Sequence, residues 1–205
     1  MNKKEKYHHG GLKNKLIEDV LLAIKNNTLE KYSIRESARL MGVSAAAPYN
    51  HYKDKKELVD SALLFSRKSF LKFLSDKLDD KDLHTQKLIS LGKNYLSFAD
   101  KNPKLFIFMF TFTNEDNVSD NYYIDIYNLF YEVISTSFDT DNFRSRISLN
   151  TAVYAAWSMV HGIASLIANR SIEKSEIKGY IEGKLFDELS AIWAVGVSKP
   201  PKYRL

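Results

Sequence analysis

The chain has no cysteine, only four prolines and only two tryptophans in 205 residues. Without cysteine there are no disulfides, no thiol nucleophiles and no cysteine-ligated metal, which suits a reducing cytoplasm. Long apolar runs are also missing. "LFIFMFTF" (105–112) is far too short to span a bilayer. "AVYAAWSMVHGIASLIA" (152–168) falls below the usual length of about 20 residues and carries His161 and serines, so a buried helix is expected there rather than a membrane span. The start, "MNKKEKYHHGG", is charged with no apolar core after it, which argues against a signal peptide. There is no Gly-rich phosphate loop and no His-x-x-x-His spacing; the adjacent His8 and His9 lie in a tail. No metal and no cofactor is expected, and an enzyme reading lacks its parts.

What is present is helical period. Leu12, Leu16, Ile17, Val20, Leu21 and Ile24 form one stripe. Leu58, Ala62, Phe65 and Phe73 form another, and Leu88, Leu91, Tyr95 and Phe98 a third. No segment alternates long enough to argue a strand, so the expected fold class is all-α. Ser33 with Glu36, and Asp54 with Glu57, have capping-box spacing. Pro103 follows Asn102 as a first helical residue follows its cap. Thr140 or Asp141 is the next expected cap.

The charge is lopsided. The chain carries 30 Lys/Arg and 25 Asp/Glu, a net +5. Residues 1–56 hold twelve and six of these, which leaves eighteen and nineteen for residues 57–205. A basic end attracts phosphate backbones; it also suits a solvated tail. "GVSAAAPYNHY" (42–52) lies in this end. A helix over 33–40, Gly42 as a left-handed turn residue, and a second helix over 45–52 capped by Ser44 make a helix-turn-helix. In that motif the second helix enters the major groove. Here it begins Ala45, Ala46, Ala47, Pro48, with no long polar side chain. Small residues let the backbone approach the groove floor, and a methyl group meets a thymine methyl. Tyr49 reads as a phosphate donor or as core, and Tyr52 as core. Asn50 and His51 reach the DNA backbone or base edges.

"SIRESARLMGVSAAAPYNHYKDKKEL" resembles the DNA-binding segment of the TetR family of transcriptional regulators. The matching features are the Gly-Val-Ser turn, the Tyr49-x-x-Tyr52 pair, and Lys55 with Leu58 opening a long helix. The resemblance covers about residues 7–62. "YHHGGLK" is similar to the opening of one branch, whose C-terminal domain is marked by Trp, His and Gly, here Trp157, His161 and Gly162. The resemblance implies a helix-turn-helix domain over 7–56 and a helical ligand-binding and dimerisation domain over 57–205. It implies a homodimer built from the last two long helices, double-stranded DNA as partner, and repression lifted by an unknown small-molecule effector. It sets Lys55 and Tyr49 on phosphates, with Ser33 and the arm around Lys3, Lys4 and Lys6, and Arg35 against a base. On the residues alone, Arg35 reads equally as a surface arginine paired with Glu36 or Asp54.

Residues 57–205 hold most of the aromatics. Phe106, Phe108, Tyr127, Tyr131, Trp157 and His161 form the candidate ligand set. Many rings with one histidine suit a cavity for an apolar or aromatic molecule, and they suit plain core as well. Trp157 and His161, four apart, share a helix face. Ala155, Ser158, Gly162, Ser165 and Asn169 make a small-residue stripe on that helix, and Gly179, Gly183, Ser190 and Ala194 make one on the last helix. Both suit close helix packing, between chains or within one. A helical carrier or enzyme using the aromatic cavity is the competing reading; it leaves the basic end without a role.

Overall fold

The computed structural model describes residues 9–76, 78, 84–111, 122–137 and 147–199. Among them are nine α-helices and no β-strand: α1 (His9–Lys25), α2 (Ile34–Leu40), α3 (Lys55–Ser75), α4 (His84–Lys101), α5 (Pro103–Thr111), α6 (Tyr122–Ser137), α7 (Leu149–Ala168), α8 (Lys174–Ile181) and α9 (Leu185–Val197). Single 3-10 turns occupy Leu29–Lys31 and Ala47–Asn50. The all-α expectation holds.

The first unit closes through local signals. Ser33 caps α2, its Oγ accepting from the Glu36 amide at 3.4 Å. Asp54 caps α3, accepting from the Glu57 amide at 2.8 Å. At the end of α2, Gly42 has φ +74. The Gly42 amide donates to Arg39 O and the Val43 amide to Ala38 O, each at 3.0 Å, which is the Schellman pattern of a helix stop. Leu16, Val20, Ile34, Ala38 and Leu58 are buried between the helices. Tyr52 is 2% exposed, as expected of core, and its hydroxyl donates to Lys13 O at 3.2 Å.

α3 runs on into the bundle and buries Leu63, Arg67, Phe70 and Leu74. Phe65 departs from the expected stripe: it is 49% exposed, because the buried face of α3 passes through Ala62, Ser66 and Phe70. α7 starts at Leu149, capped by Ser148, whose Oγ accepts from the Thr151 amide at 3.2 Å. The caps expected at Thr140 or Asp141 lie outside the described residues. α7 is long and apolar enough to cross a membrane by length and composition. Its Ala152, Val153, Ala156, Val160, Ala164 and Ile167 are nonetheless packed into the core against α4, α5 and α6.

The last helix of the sequence reading is two helices, α8 and α9, with a corner at residues 182–184. Gly179 and Gly183 serve that corner. A Cβ on Gly183 would stand 2.7 Å from Gly179 O, and one on Gly179 would stand 2.7 Å from Leu185 Cδ1. These glycines therefore permit close packing within the chain, and only the α7 stripe is left open for a partner. Gly92 carries a close contact that no sequence pattern marks. The buried ring of Phe186 lies where its Cβ would be, with Cζ at 2.0 Å, so α9 docks on α4 through a missing side chain. Gly92→Ala is expected to lower the unfolding free energy by about 1–3 kcal/mol through overpacking. Combining it with Phe186→Leu should be less damaging than the two separate losses added together. Denaturant unfolding of the four proteins checks this; strict additivity would mean that the two residues do not meet.

Candidate nucleic-acid interface and ligand site

The second helix of the helix-turn-helix is shorter than its sequence suggests. Residues 45–46 form a turn and only Ala47–Asn50 is helical, as a 3-10 turn. Pro48 supplies the reason. In an α-helix from residue 45 its ring would meet the Ser44 carbonyl, and it has no N–H to donate. The Ser44 carbonyl accepts instead from the Ala47 amide at 3.0 Å, and the Tyr52 amide returns to Pro48 O at 3.0 Å. The Ser44 side chain makes no cap bond to this turn.

Ser33, Arg35, Ser44, Ala45, Ala46, Tyr49 and Asn50 are all exposed, while Ala47 and His51 are half-buried. Tyr49 is 43% exposed, so of its two readings the structure favours the hydroxyl in solvent over core. Arg35 makes no ion pair with Glu36, Asp54 or any other described residue. The two alanines leave an apolar surface exposed. The cations Lys13, Lys15, Arg39 and Lys53 of the same unit are also exposed. Lys3, Lys4 and Lys6 lie outside the described residues.

Lys55 is placed differently from the expectation. Its ammonium donates to Leu29 O at 2.8 Å and Glu30 O at 3.1 Å, and stands 6.0 Å from the centre of the Tyr32 ring. Two of its three hydrogens thus hold the turn between α1 and α2 onto the start of α3. Sequence spacing could not show this, because the carbonyls lie 25 and 26 positions away.

The ligand set divides in two. Phe106 and His161 belong to an inner cluster with Tyr95 and Phe110, their ring centres 4.5–6.3 Å apart. Tyr127 and Tyr131 form an outer ladder with Tyr154, which leads to Trp157 at 6.4 Å. Phe108 belongs to neither. Two residues beyond Phe106, it points to the opposite face of α5 and lines a hollow with Ile24 and Leu29 of the first unit. It is a contact between the units, away from the other candidate ligand residues.

Trp157 joins the two groups. Its indole N–H donates to Tyr95 Oη at 3.3 Å, and Tyr95 Oη lies 2.9 Å from His161 Nδ1. Indole only donates, so the one tyrosine hydrogen goes to Nδ1 and the imidazole proton resides on Nε2. Burial lowers the His161 pKa, which favours the neutral ring. The Nε2–H finds no acceptor among the described residues. Burial also pushes the Tyr95 hydroxyl up, so it stays a proton donor.

Two further residues of this region were not singled out from the sequence. Tyr95 looked like one member of an apolar stripe. Arg67 is only 5% exposed; its Nε and Nη2 donate to Met109 O at 3.3 and 2.9 Å, and its guanidinium lies 4.8 Å from the centre of the Tyr122 ring. A polar residue on the apolar side of a helix was the only available signal, and it was lost among the alternating charges of α3.

Residues 88–179 match a family model described as the tetracyclin repressor-like C-terminal domain. No curated protein matches the chain. Among solved structures, a protein of unknown function from Rhodococcus sp. RHA1 is similar over 96% of this chain and 100% of its own, with TM-score 0.78 and 19% identity. A TetR-like transcriptional regulator from Rhodococcus sp. RHA1 is similar over 95% of this chain and 98% of its own, with TM-score 0.65 and 14% identity. The regulator FadR from Bacillus subtilis, solved with stearoyl-CoA, is similar over 90% of this chain and 98% of its own, with TM-score 0.67 and 12% identity. A tetracyclin repressor-like C-terminal domain thus lies behind a helix-turn-helix, in a fold shared along nearly the whole chain with a TetR-like transcriptional regulator.

Proposed function

We propose that this protein is a homodimeric, cytoplasmic transcriptional repressor that binds double-stranded operator DNA and leaves it when a small apolar or aromatic molecule binds the bundle. The observation that carries the reading is the surface made by Ser33, Arg35, Ala45, Ala46, Tyr49 and Asn50. It is exposed, lies in a unit rich in exposed cations, and is borne on a motif whose α2 and α3 are capped by Ser33 and Asp54. Small residues at the tip allow close approach, Tyr49 and Ser33 offer hydroxyls to phosphates, and Arg35 is free to meet a base edge. A mobility-shift titration against duplex from upstream of the protein's own coding sequence tests it. Sequence-selective binding that weakens steeply with salt is expected; equal affinity for random duplex would refute it.

Arg35 and Lys55 should then behave differently. Arg35→Ala is expected to relax preference at one base pair, with roughly 1–3 kcal/mol of discrimination lost. Lys55→Ala is expected to destabilise the fold while leaving the slope of log affinity against log salt unchanged, because the ammonium is held by Leu29 and Glu30. A slope flattened by about 1 would instead put that ammonium on a phosphate.

What α7 and α9 leave uncovered supports a second copy on that face. Ala155, Ser158 and Gly162 are exposed on α7, and Ile192 and Val195 of α9 are 67% and 69% exposed. Branched aliphatics in water beside a strip of small residues suit another helix pair. A Cβ on Gly162 would meet nothing within 4 Å. Gly162→Leu should therefore leave the single chain intact and raise the dimer dissociation constant about tenfold or more, at least 1.4 kcal/mol. Operator affinity should fall with it. Sedimentation analysis that finds an undisturbed dimer would exclude this face.

The effector is assigned to the space around Trp157, Tyr95 and His161. The free Nε2–H of His161 calls for an apolar molecule that carries an acceptor such as a carbonyl, a chemistry also present in the stearoyl-CoA bound to the B. subtilis neighbour. Since the folded His161 has the lower pKa, the unfolded chain binds more protons near that range, and stability falls with acidity below about pH 6.5. His161→Phe should remove this component of the pH profile and also the thermal stabilisation given by an acceptor-bearing effector. A compound that stabilises the parent and His161→Phe equally would place the site elsewhere.

A further inference from the structure

A groove of about 530 Å³ follows the seam between the helix-turn-helix unit and the bundle. Leu21, Leu22 and Lys25 of α1 form one wall. The corner between α4 and α5, from Lys101 to Leu105, forms the floor, and Arg170 past the end of α7 closes it. The volume is that of a small-molecule site. It is separate from the Tyr95–Trp157–His161 cluster.

Its charge is the notable feature. Lys25, Lys101, Lys104 and Arg170 face one acidic lining residue, Glu18. Arg170 reaches Asp100 at 3.5 Å; the three lysines make no ion pair among the described residues. Lys25 and Lys101 close helices α1 and α4, where a cation complements the carbonyl ends, so these two need no other explanation. The other two do. Lys104 lies in the first turn of α5, where the helix field disfavours a cation. Arg170 has φ +59, a backbone suited to glycine or asparagine, as Asn27 shows at the same point after α1. Two cations are thus kept where local physics opposes them, and both line the same groove. Beside them the α5 N–H groups of Lys104 and Leu105 precede the first helical bond, which runs from Phe106 N to Asn102 O. The opposite wall is apolar, with Leu22 53% exposed.

We infer that this groove binds an organic phosphate: two or more phosphoryl charges on Lys101, Lys104, Arg170 and the start of α5, with an apolar or aromatic body against Leu22 and Leu105. Such a ligand would touch both units at once. The inference is independent of the DNA-binding reading, because it is tested without DNA.

The test is calorimetric titration of the full-length, DNA-free protein at low salt with ADP and, separately, with pyrophosphate. ADP is expected to bind more tightly than pyrophosphate. Lys104→Glu and Arg170→Gly should each weaken ADP by about tenfold, the loss of one charge-assisted contact. Both substitutions suit their backbone positions, so the melting temperature should hold or rise. Leu22→Asp should weaken ADP and leave pyrophosphate nearly unchanged. The inference is overturned if ADP gives no saturable heat, or if the Lys104 and Arg170 variants bind it like the parent. Pyrophosphate binding as tightly as ADP would reduce the groove to a general anion patch. Loss of random-duplex affinity in those two variants, with ADP binding intact, would assign the cations to DNA and overturn it too.

Discussion

The ring of Phe70 is the contact on which the arrangement of the two units depends. It stands edge-on to Tyr95 at 5.0 Å, Phe98 at 4.7 Å, Phe106 at 6.3 Å and Phe110 at 6.1 Å. Those rings come from α4 and α5, so the C-terminal half of α3 is clamped inside the bundle. The N-terminal half of the same helix, through Leu58 and Ala62, belongs to the core of the helix-turn-helix. A continuous helix of 21 residues is about 30 Å of stiff rod. The tip at Ala45–Asn50 therefore has no independent orientation. It points where α3 points, and the aromatic clamp sets that direction.

This bears on how an alanine-tipped motif reads a sequence. Ala45 and Ala46 offer methyl groups and a close backbone, which select shape and thymine but few hydrogen-bonding patterns. Each such contact is weak. With Arg35, Asn50 and His51 the few side chains proposed for polar readout, discrimination would fall heavily on the distance and angle between two copies. Half-site spacing follows from the geometry of a dimer, and in the proposed dimer that geometry would rest on α3 in each chain and on the α7–α9 face between them. On that proposal the exposed aliphatics Ile192 and Val195 would bear on DNA selectivity through the dimer.

The parts legible in the sequence are those written in short-range chemistry. The caps Ser33 and Asp54 and the turn at Gly42 depend on neighbours within a few residues, and all stand as the spacing indicates. What escaped depends on long-range approach. Lys55 has the composition of a phosphate ligand, but the carbonyls that hold it come from the end of the preceding turn. Gly92 reads as a weak helix position until Phe186 arrives from α9. Gly183 reads as an interface residue until the α8–α9 corner brings Gly179 against it. Phe108 has the same ring as Phe106, and only the 200° between them on α5 separates a contact with α1 from a place beside His161. Pro48 was visible, yet its consequence for the second helix, a single 3-10 turn, came from its clash with Ser44 and not from the apolar pattern.

That division across α5 also indicates how a ligand in the bundle reaches the DNA-binding unit. One face of α5 carries Phe106 and Phe110 against Tyr95 and His161; the other carries Phe108 against Ile24 and Leu29. Arg67 ties α3 to the last turn of α5 through Met109 O. A molecule wedged beside His161 cannot move the inner rings without moving the helix that also plugs the first unit. The coupling needed between two sites is typically 1–3 kcal/mol. Full burial of a phenylalanine side chain is worth about 1.5–3 kcal/mol, so partial withdrawal of Phe108 supplies an energy of the right size. No large rearrangement of the bundle is required. For the proposed repressor, a small shift of one nine-residue helix, carried along the 21-residue α3, would be enough to misplace a tip whose reading depends on spacing.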